Sequence, residues 1–411
     1  MRLLHPAAPL AACLLLAASQ ALAADIAVRP GPNAAEELAE ALITAQEGDT
    51  IWLGFGRYRL SDGLSLDVDG VSVRGMGPDQ SVLDFSDQQG GGEGFLVTSD
   101  RVVMDSFGVE NPKGDGIKTK GSDQVTFTNL RVEWTNGPDE KNGAYGVYPV
   151  SSSNVLIDNV TVRGASDAGI YVGQSRDIVV RNSLAEYNVA GIEIENSFRA
   201  DVYGNTARHN TGGILIFDLP NLPQQGGHDI RVFDNDVTMN DTPNFAPKGN
   251  TVAMVPTGMG IMVMANRNVH VFNNRLSDNG TTHVLIAAYP EDYDDDAYMF
   301  VPRGVYVHDN TYGDGGGAPD GEVGETIAKY SGTPVPDIVW DGVTRIPEWL
   351  SWTAAENRVY IDEKEGTSFV NLKMLSQLIL PWSTSPDTDI SAYRGSLPEP
   401  KPVVLAQDKT S

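Results

Sequence analysis

From Leu64 to about Tyr312, apolar and polar residues alternate in runs of three to five, and nowhere in this stretch do apolar positions recur at helical spacing. The runs repeat one phrase. Ala168-Gly169-Ile170-Tyr171-Val172, Ala190-Gly191-Ile192-Glu193-Ile194, Gly212-Gly213-Ile214-Leu215-Ile216 and Met259-Gly260-Ile261-Met262-Val263 each place an alternating strand after a glycine. A second strand follows each and ends in Asn: Asn182, Asn205, Asn235 and Asn274. The closing asparagines Asn188, Asn210, Asn240 and Asn279 are separated by twenty-two, thirty and thirty-nine residues. A base period of about twenty-two with added loops is the mark of a solenoid, because a single repeat cannot bury its apolar face alone. Three short strands per coil, turning at Gly, Asn and Asp, predict an all-β chain folded as a right-handed, single-stranded parallel β-helix.

Glycines in register turn the repeat into a map. If Gly116, Gly146, Gly169, Gly191, Gly213 and Gly260 stack, alternation sends Ile117, Ile170, Ile192, Ile214 and Ile261 inward. One outward column then reads Lys118, Tyr148, Tyr171, Glu193, Leu215, Met262, and the next reads Lys120, Val150, Gly173, Glu195, Phe217, Met264. The turns hold Asn129, Asn159, Asn182, Asp234, Asn273 and Asp309 at one position. Ser183, Asn205, Asn235, Asn274 and Asn310 occupy the next. Asn and Asp tolerate the left-handed backbone of a sharp corner, and stacked amides can bond from coil to coil.

The repeat is framed by other segments. Residues 1–23 read as a targeting leader, with Arg2, an apolar run from Ala7 to Ser19 and a small-residue cleavage site at Ala21-Leu22-Ala23. Leu10-Ala11-Ala12-Cys13 is a competing lipoprotein box, ranked second because Leu14-Leu15-Leu16 carries the apolar run past the cysteine. Both place the protein outside the cytoplasm, periplasmic or secreted. Residues 24–60 predict a cap helix over 34–45, with Asn33 as N-cap, and a first strand. The β-helix spans 61–314, with loops leaving it at 135–144, 219–228, 241–257 and 290–303 and gathering to wall a groove. Residues 315–390, with Trp340, Trp349 and Trp352, form a far-end cap, and the Pro-containing stretch 391–411 is expected to be a flexible tail.

Composition narrows the partners. The chain has 29 Lys and Arg against 55 Asp and Glu, a formal charge of −26. That sign disfavours nucleic acid and anionic membranes. The lone cysteine, Cys13, lies in the leader, so no disulfide can staple the fold. Beyond the leader nothing approaches the roughly 18 consecutive apolar residues of a membrane span. No protein partner can be named from these residues.

The units Gly164 to Gly173, Asn188 to Asn196 and Thr211 to Asp218 resemble a family of exported bacterial parallel β-helix repeat proteins. The family is similar to the pectin-lyase-like fold group, so the resemblance implies a carbohydrate-binding or sugar-hydrolysing substrate class while supplying no assigned activity. Mannuronan epimerases on this fold carry Tyr-Gly-x-Asp-Pro-His. Here Tyr145-Gly146-Val147-Tyr148-Pro149-Val150 puts Tyr and Val where the acid and His would stand.

Three functions compete for the outward columns. In a lyase or hydrolase, Lys118 and Lys120 neutralise a uronate, Tyr148 or Tyr171 moves the proton, or Glu193 and Glu195 act as acid and base. Their i, i+2 spacing separates the backbones by about 6.6 Å, near the inverting distance. In a non-catalytic binder or envelope scaffold, Tyr145, Tyr148, Tyr171 and Phe217 stack on sugars while Asp115, Asp218 and the glutamates accept hydroxyl hydrogens. In a copper-handling protein, Met254, Met259, Met262 and Met264 with His283 offer a soft site. Asp292, Asp294 and Asp296 form an oxygen-rich loop suited to Ca²⁺.

Overall fold

The computed structural model describes residues 23–345, 354–379 and 385–409. The leader with Cys13, apart from its last residue, lies outside them, as do Trp349 and Trp352. Among the described residues, the strands form three parallel sheets of 12, 11 and 10 strands, and each sheet takes one strand from nearly every coil. The coil that starts at Ala168–Gly173 runs on through Arg176–Arg181 and Leu184–Glu186 before Ala190–Glu195 opens the next. Ile170 pairs with Ile192, Ile192 with Ile214 and Ile214 with Ile261, so the predicted register holds. All four are fully buried, as are Val172, Ile194, Ile216 and Val263 in the next inward column.

Corners explain why three-residue strands suffice. Asn129, Asn159, Asn182, Asp234, Asn273 and Asp309 all have φ between 50° and 56°, the left-handed region that Asn and Asp enter at low cost. The next position carries a ladder: the Nδ2 groups of Asn205, Asn235 and Asn274 each donate to the Oδ1 of the following asparagine at 2.9–3.0 Å. Asn310 ends it by donating to Glu363 at 2.7 Å. A second ladder, from Asn188 through Asn210 and Asn240 to Asn279, lines another corner and ends on the His283 ring at 3.1 Å. These amides are buried, so each must find a partner.

The ends and edges differ from expectation in instructive ways. The helix Ala34–Thr44 closes the N-terminal end with Ala34, Leu38, Ala41 and Leu42 buried, but Asn33 makes no side-chain cap bond. Strand Asp25–Val28 already pairs with Thr50–Leu53, so the first coil begins before the cap helix. Beyond 314, Ile338–Trp340 and Phe369–Asn371 extend the 11-stranded sheet and Val359–Asp362 the 12-stranded one.

The described part of the expected tail, residues 391–409, is docked, not loose. Glu399 pairs with Arg231 at 2.7 Å, the Val403 amide donates to Asp201, and the Ala406 amide donates to Asn154. It therefore runs back across the 12-stranded sheet towards the N-terminus. Its docking uses charged residues on the outer face, which composition alone did not single out. No helix among the described residues is long and apolar enough to cross a membrane.

Candidate functional site

The 11-stranded sheet presents both predicted columns. Lys118 pairs with Tyr148, Tyr171 with Glu193, Glu193 with Leu215 and Leu215 with Met262. Gly173 pairs with Glu195 and Glu195 with Phe217. One sheet face thus runs from a lysine end through tyrosines and glutamates to an apolar end.

The loops do not wall an open groove along this face; they lie down on it. From one edge Leu219, Tyr289, Tyr298 and Phe300 pack inward, and from the other Phe245, Val252, Val255 and Ile327. They meet Leu215, Phe217, Met259, Met264 and Leu285, which would otherwise leave a large apolar patch in water. Phe217 is buried in this contact and offers no open ring face to a sugar. Loop 219–228 is fastened by Asn196, whose Nδ2 donates to the carbonyls of Leu219 and Gln224. Asp295 fastens it further by accepting from the Asn221 amide at 2.8 Å and the Gln225 side chain at 2.5 Å.

Where the apolar cover meets the tyrosines, carboxyls are buried. Glu193 is 2% exposed, Glu195 4%, Asp218 2% and Asp167 8%, so solvation of their charges is largely lost. Burial pushes Glu195, Asp167 and Asp218 up to about 7, and Glu193 well above the ordinary carboxylate range. Asp167 and Glu195 add repulsion to Glu193. Opposing hydrogen bonds come from Tyr171 to Glu195 and, at 3.5 Å, from Tyr145 to Asp167. Asp218 accepts from the Gly227 amide at 2.6 Å and from Asn266 at 2.8 Å.

The aromatic rings pack mainly on one another. Tyr145 lies 4.5 Å from Tyr148 and 4.4 Å from Tyr171, centroid to centroid. Burial and the nearby carboxylates raise the Tyr145 and Tyr171 hydroxyls far above their ordinary range. They are therefore proton donors rather than bases.

Lys118 is not free to quench a substrate charge. It pairs with Glu93 at 2.8 Å and Asp115 at 3.3 Å, and sits 4.8 Å over the Tyr148 ring. Lys120, at the sheet rim, is exposed. Asp115 is raised by burial, with Lys118 opposing the shift.

The metal readings fail on geometry. Asp292, Asp294 and Asp296 are exposed along their loop, and among the described residues no three acidic, His or Cys groups form a metal-holding cluster. The residue of that run that bonds across to another loop is Asp295. Met259 and Met264 are buried in the apolar cover, Met254 is 39% exposed, and both His283 nitrogens are engaged by Asn279 and the Gly313 carbonyl. No soft-metal site assembles from them.

Asp167 was missed as a site residue. It stands just before strand Ala168–Gly173, outside the alternating columns, and the strand pattern carries no sign that it turns towards Glu193. A signal existed in the polar Ser166-Asp167 pair at a position where Gly191-type coils place Val189 or Thr211.

Residues 70–222 match a family model described as a right handed beta helix region. No curated protein matches the sequence. Among solved structures, the chain is similar to a mutant of DFA-IIIase from Arthrobacter chlorophenolicus A6 in complex with DFA-III, at 12% identity and a TM-score of 0.50, covering 77% of this chain and 92% of that one. It is also similar to the A-module of Azotobacter vinelandii mannuronan C-5 epimerase AlgE4, at 16% identity and a TM-score of 0.48, covering 80% and 91%. Identities this low speak to fold alone. The three parallel sheets and their corner ladders, with the match over 70–222, show the fold to be a right-handed parallel β-helix.

Proposed function

We propose that this is an exported protein that cleaves polysaccharide by acid–base chemistry on the 11-stranded sheet. The observation that carries the reading is the set of buried carboxyls Glu193, Glu195, Asp167 and Asp218 gathered on one face, with Glu195, Asp167 and Asp218 raised to about 7. A carboxyl that keeps its proton near neutrality can protonate a glycosidic oxygen, while a neighbour that has lost its own activates water. The backbones of Glu193 and Glu195 are about 6.6 Å apart along one strand, and inversion requires about 6.5–9.5 Å between the carboxyl groups themselves. A β-elimination route is less well supported, because the tyrosines hold their protons and Lys118 is already paired. Phe245, Val252 and Val255 of the 241–257 loop cover this face, so substrate access to the carboxyls requires that loop to lift. The leader, outside the described residues, supports the exported setting.

A non-catalytic glycan-binding or scaffold role is favoured by one observation: Glu193 and Glu195 are covered by the loops as they lie. Incubation with a panel of polyuronates and neutral glycans separates the two. New reducing ends that vanish in Glu195→Gln and Glu193→Gln, with both variants folded by circular dichroism, support cleavage. Retention on a glycan with no product from the parent protein rejects it.

A further inference from the structure

In a chain of charge −26, most arginines have an acid within reach: Arg163 with Glu186, Arg199 with Asp177, Arg231 with Asp201. One edge breaks this habit. At the start of the strands in the 12-stranded sheet, a single register column reads Arg176, Phe198, His228, Arg267, Arg303. Among the described residues, the guanidinium groups of Arg176, Arg267 and Arg303 make no ion pair or hydrogen bond, nor does that of Arg345, which lies close enough to repel Arg303. The Arg303 Nε is buried without a partner, and Arg267 and Arg345 repel the same group. Placing like charges together while acids are plentiful is unfavourable unless something anionic joins them.

The column has the shape of a track. Four coil steps of about 4.8 Å separate Arg176 from Arg303, roughly 19 Å in all. Phe198 and His228 stack at 4.7 Å between the arginines. A surface hollow of about 270 Å³ opens beside Arg176, lined also by Ser151, Gln174 and Gln224. At the other end Arg303 is within electrostatic reach of Asp218, and Asp218 of Glu195. The acids next to the column are already engaged: Asp177 pairs with Arg199, and Asp229 is bonded by Asn268 and His228, which leaves Arg267 near its charge without an ion pair.

We propose that this edge is the binding track for an anionic polysaccharide, its carboxylates or sulfate esters held by Arg176, Arg267, Arg303 and Arg345 while the chain is fed towards the buried carboxyls. The proposal rests on the glycan reading above and specifies its substrate class. A guanidinium fork matches the paired oxygens of either anion, which an ammonium cannot do as well. The role expected of Lys118 and Lys120 therefore moves to a different sheet.

The test uses the full chain carrying Glu195→Gln, so that binding is read without turnover, against polygalacturonate, a sulfated glycan and neutral dextran in affinity electrophoresis. Binding to one or both anionic polymers and not to dextran is expected, with the preferred polymer identifying carboxylate or sulfate. Adding Arg267→Gln and Arg303→Gln should weaken binding at least tenfold and flatten its salt dependence. Arg267→Gln alone, at an exposed position, guards against misfolding and should weaken it several-fold. Equal binding by the arginine variants, or equal binding to dextran, overturns the proposal. Cleavage of a neutral glycan by the parent protein without polyanion binding overturns the track but leaves the carboxyl site. Polyanion binding without product from the parent does the reverse.

Discussion

Tyr171 donates its phenolic hydrogen to Glu195, which lies one coil away and two residues further along the strand. The contact exists because Gly173, the register partner of Glu195, has no side chain. A Cβ there would lie 2.5 Å from the Tyr171 ring and 3.0 Å from the Glu195 carboxylate. Gly173→Ala should therefore separate the pair while leaving the inward core untouched. The expected outcome is a folded protein with altered Glu195 titration, followed by carboxyl-resolved NMR.

Loss of the donor alone has a predictable sign. The Tyr171 hydrogen bond opposes the upward push of burial on Glu195. Tyr171→Phe should raise Glu195 further, moving the alkaline limb of any pH–rate profile to higher pH. An unchanged limb would remove Glu195 as the acid.

Stability should fall as pH rises from about 4.5 to about 7. Glu195, Asp167 and Asp218 are raised to about 7 in the folded protein, whereas carboxyls of the unfolded chain release their protons near 4. Between those values the folded state holds more protons, so the stability these groups contribute is fully present below about 4 and lost on the way to 7. Glu195→Gln cannot ionise and should flatten the slope, measured as Tm against pH.

The corner ladder is cooperative in its bonding. Asn274 accepts from the backbone and side chain of Asn235, and donates to Val232 and Asn310. Asn274→Ala leaves the buried Asn235 backbone N–H without a partner, while the Asn235 Nδ2 keeps its bond to the Val202 carbonyl, at a cost of about 1–3 kcal/mol. Urea unfolding of the variant measures it.

The docked C-terminal segment predicts a local effect. Beneath it Arg231 and Asp201 are buried together, and near them His270 has neither ring nitrogen bonded and is lowered to about 4. Removing residues 397–411 should lower Tm and speed amide exchange in strands Phe198–Tyr203 and His228–Phe233. Unchanged exchange would mean that the segment adds nothing to the sheet.

Much of this molecule is legible from spacing alone. Period-2 alternation placed Ile170, Ile192, Ile214 and Ile261 inward, and the need for left-handed corners placed Asn129 to Asp309, because both are local rules that each coil obeys by itself. The register that stacks Tyr171, Glu193 and Leu215 followed from the recurring glycine. Loops were found by their interruption of the period, but where they fold was not, since Phe245 or Tyr298 covering Phe217 depends on contacts across dozens of residues. That cover decided the site: it changed Glu193 and Glu195 from solvated side chains into buried carboxyls and brought Asp167 and Asp218 beside them.

By itself, the sequence determined the solenoid, its core and its corners, because those repeat at short range. Only the tertiary structure decided which outward residues are buried, which lysine is already paired and which arginines stand together without an ion pair, because desolvation and pairing depend on what lies across the chain.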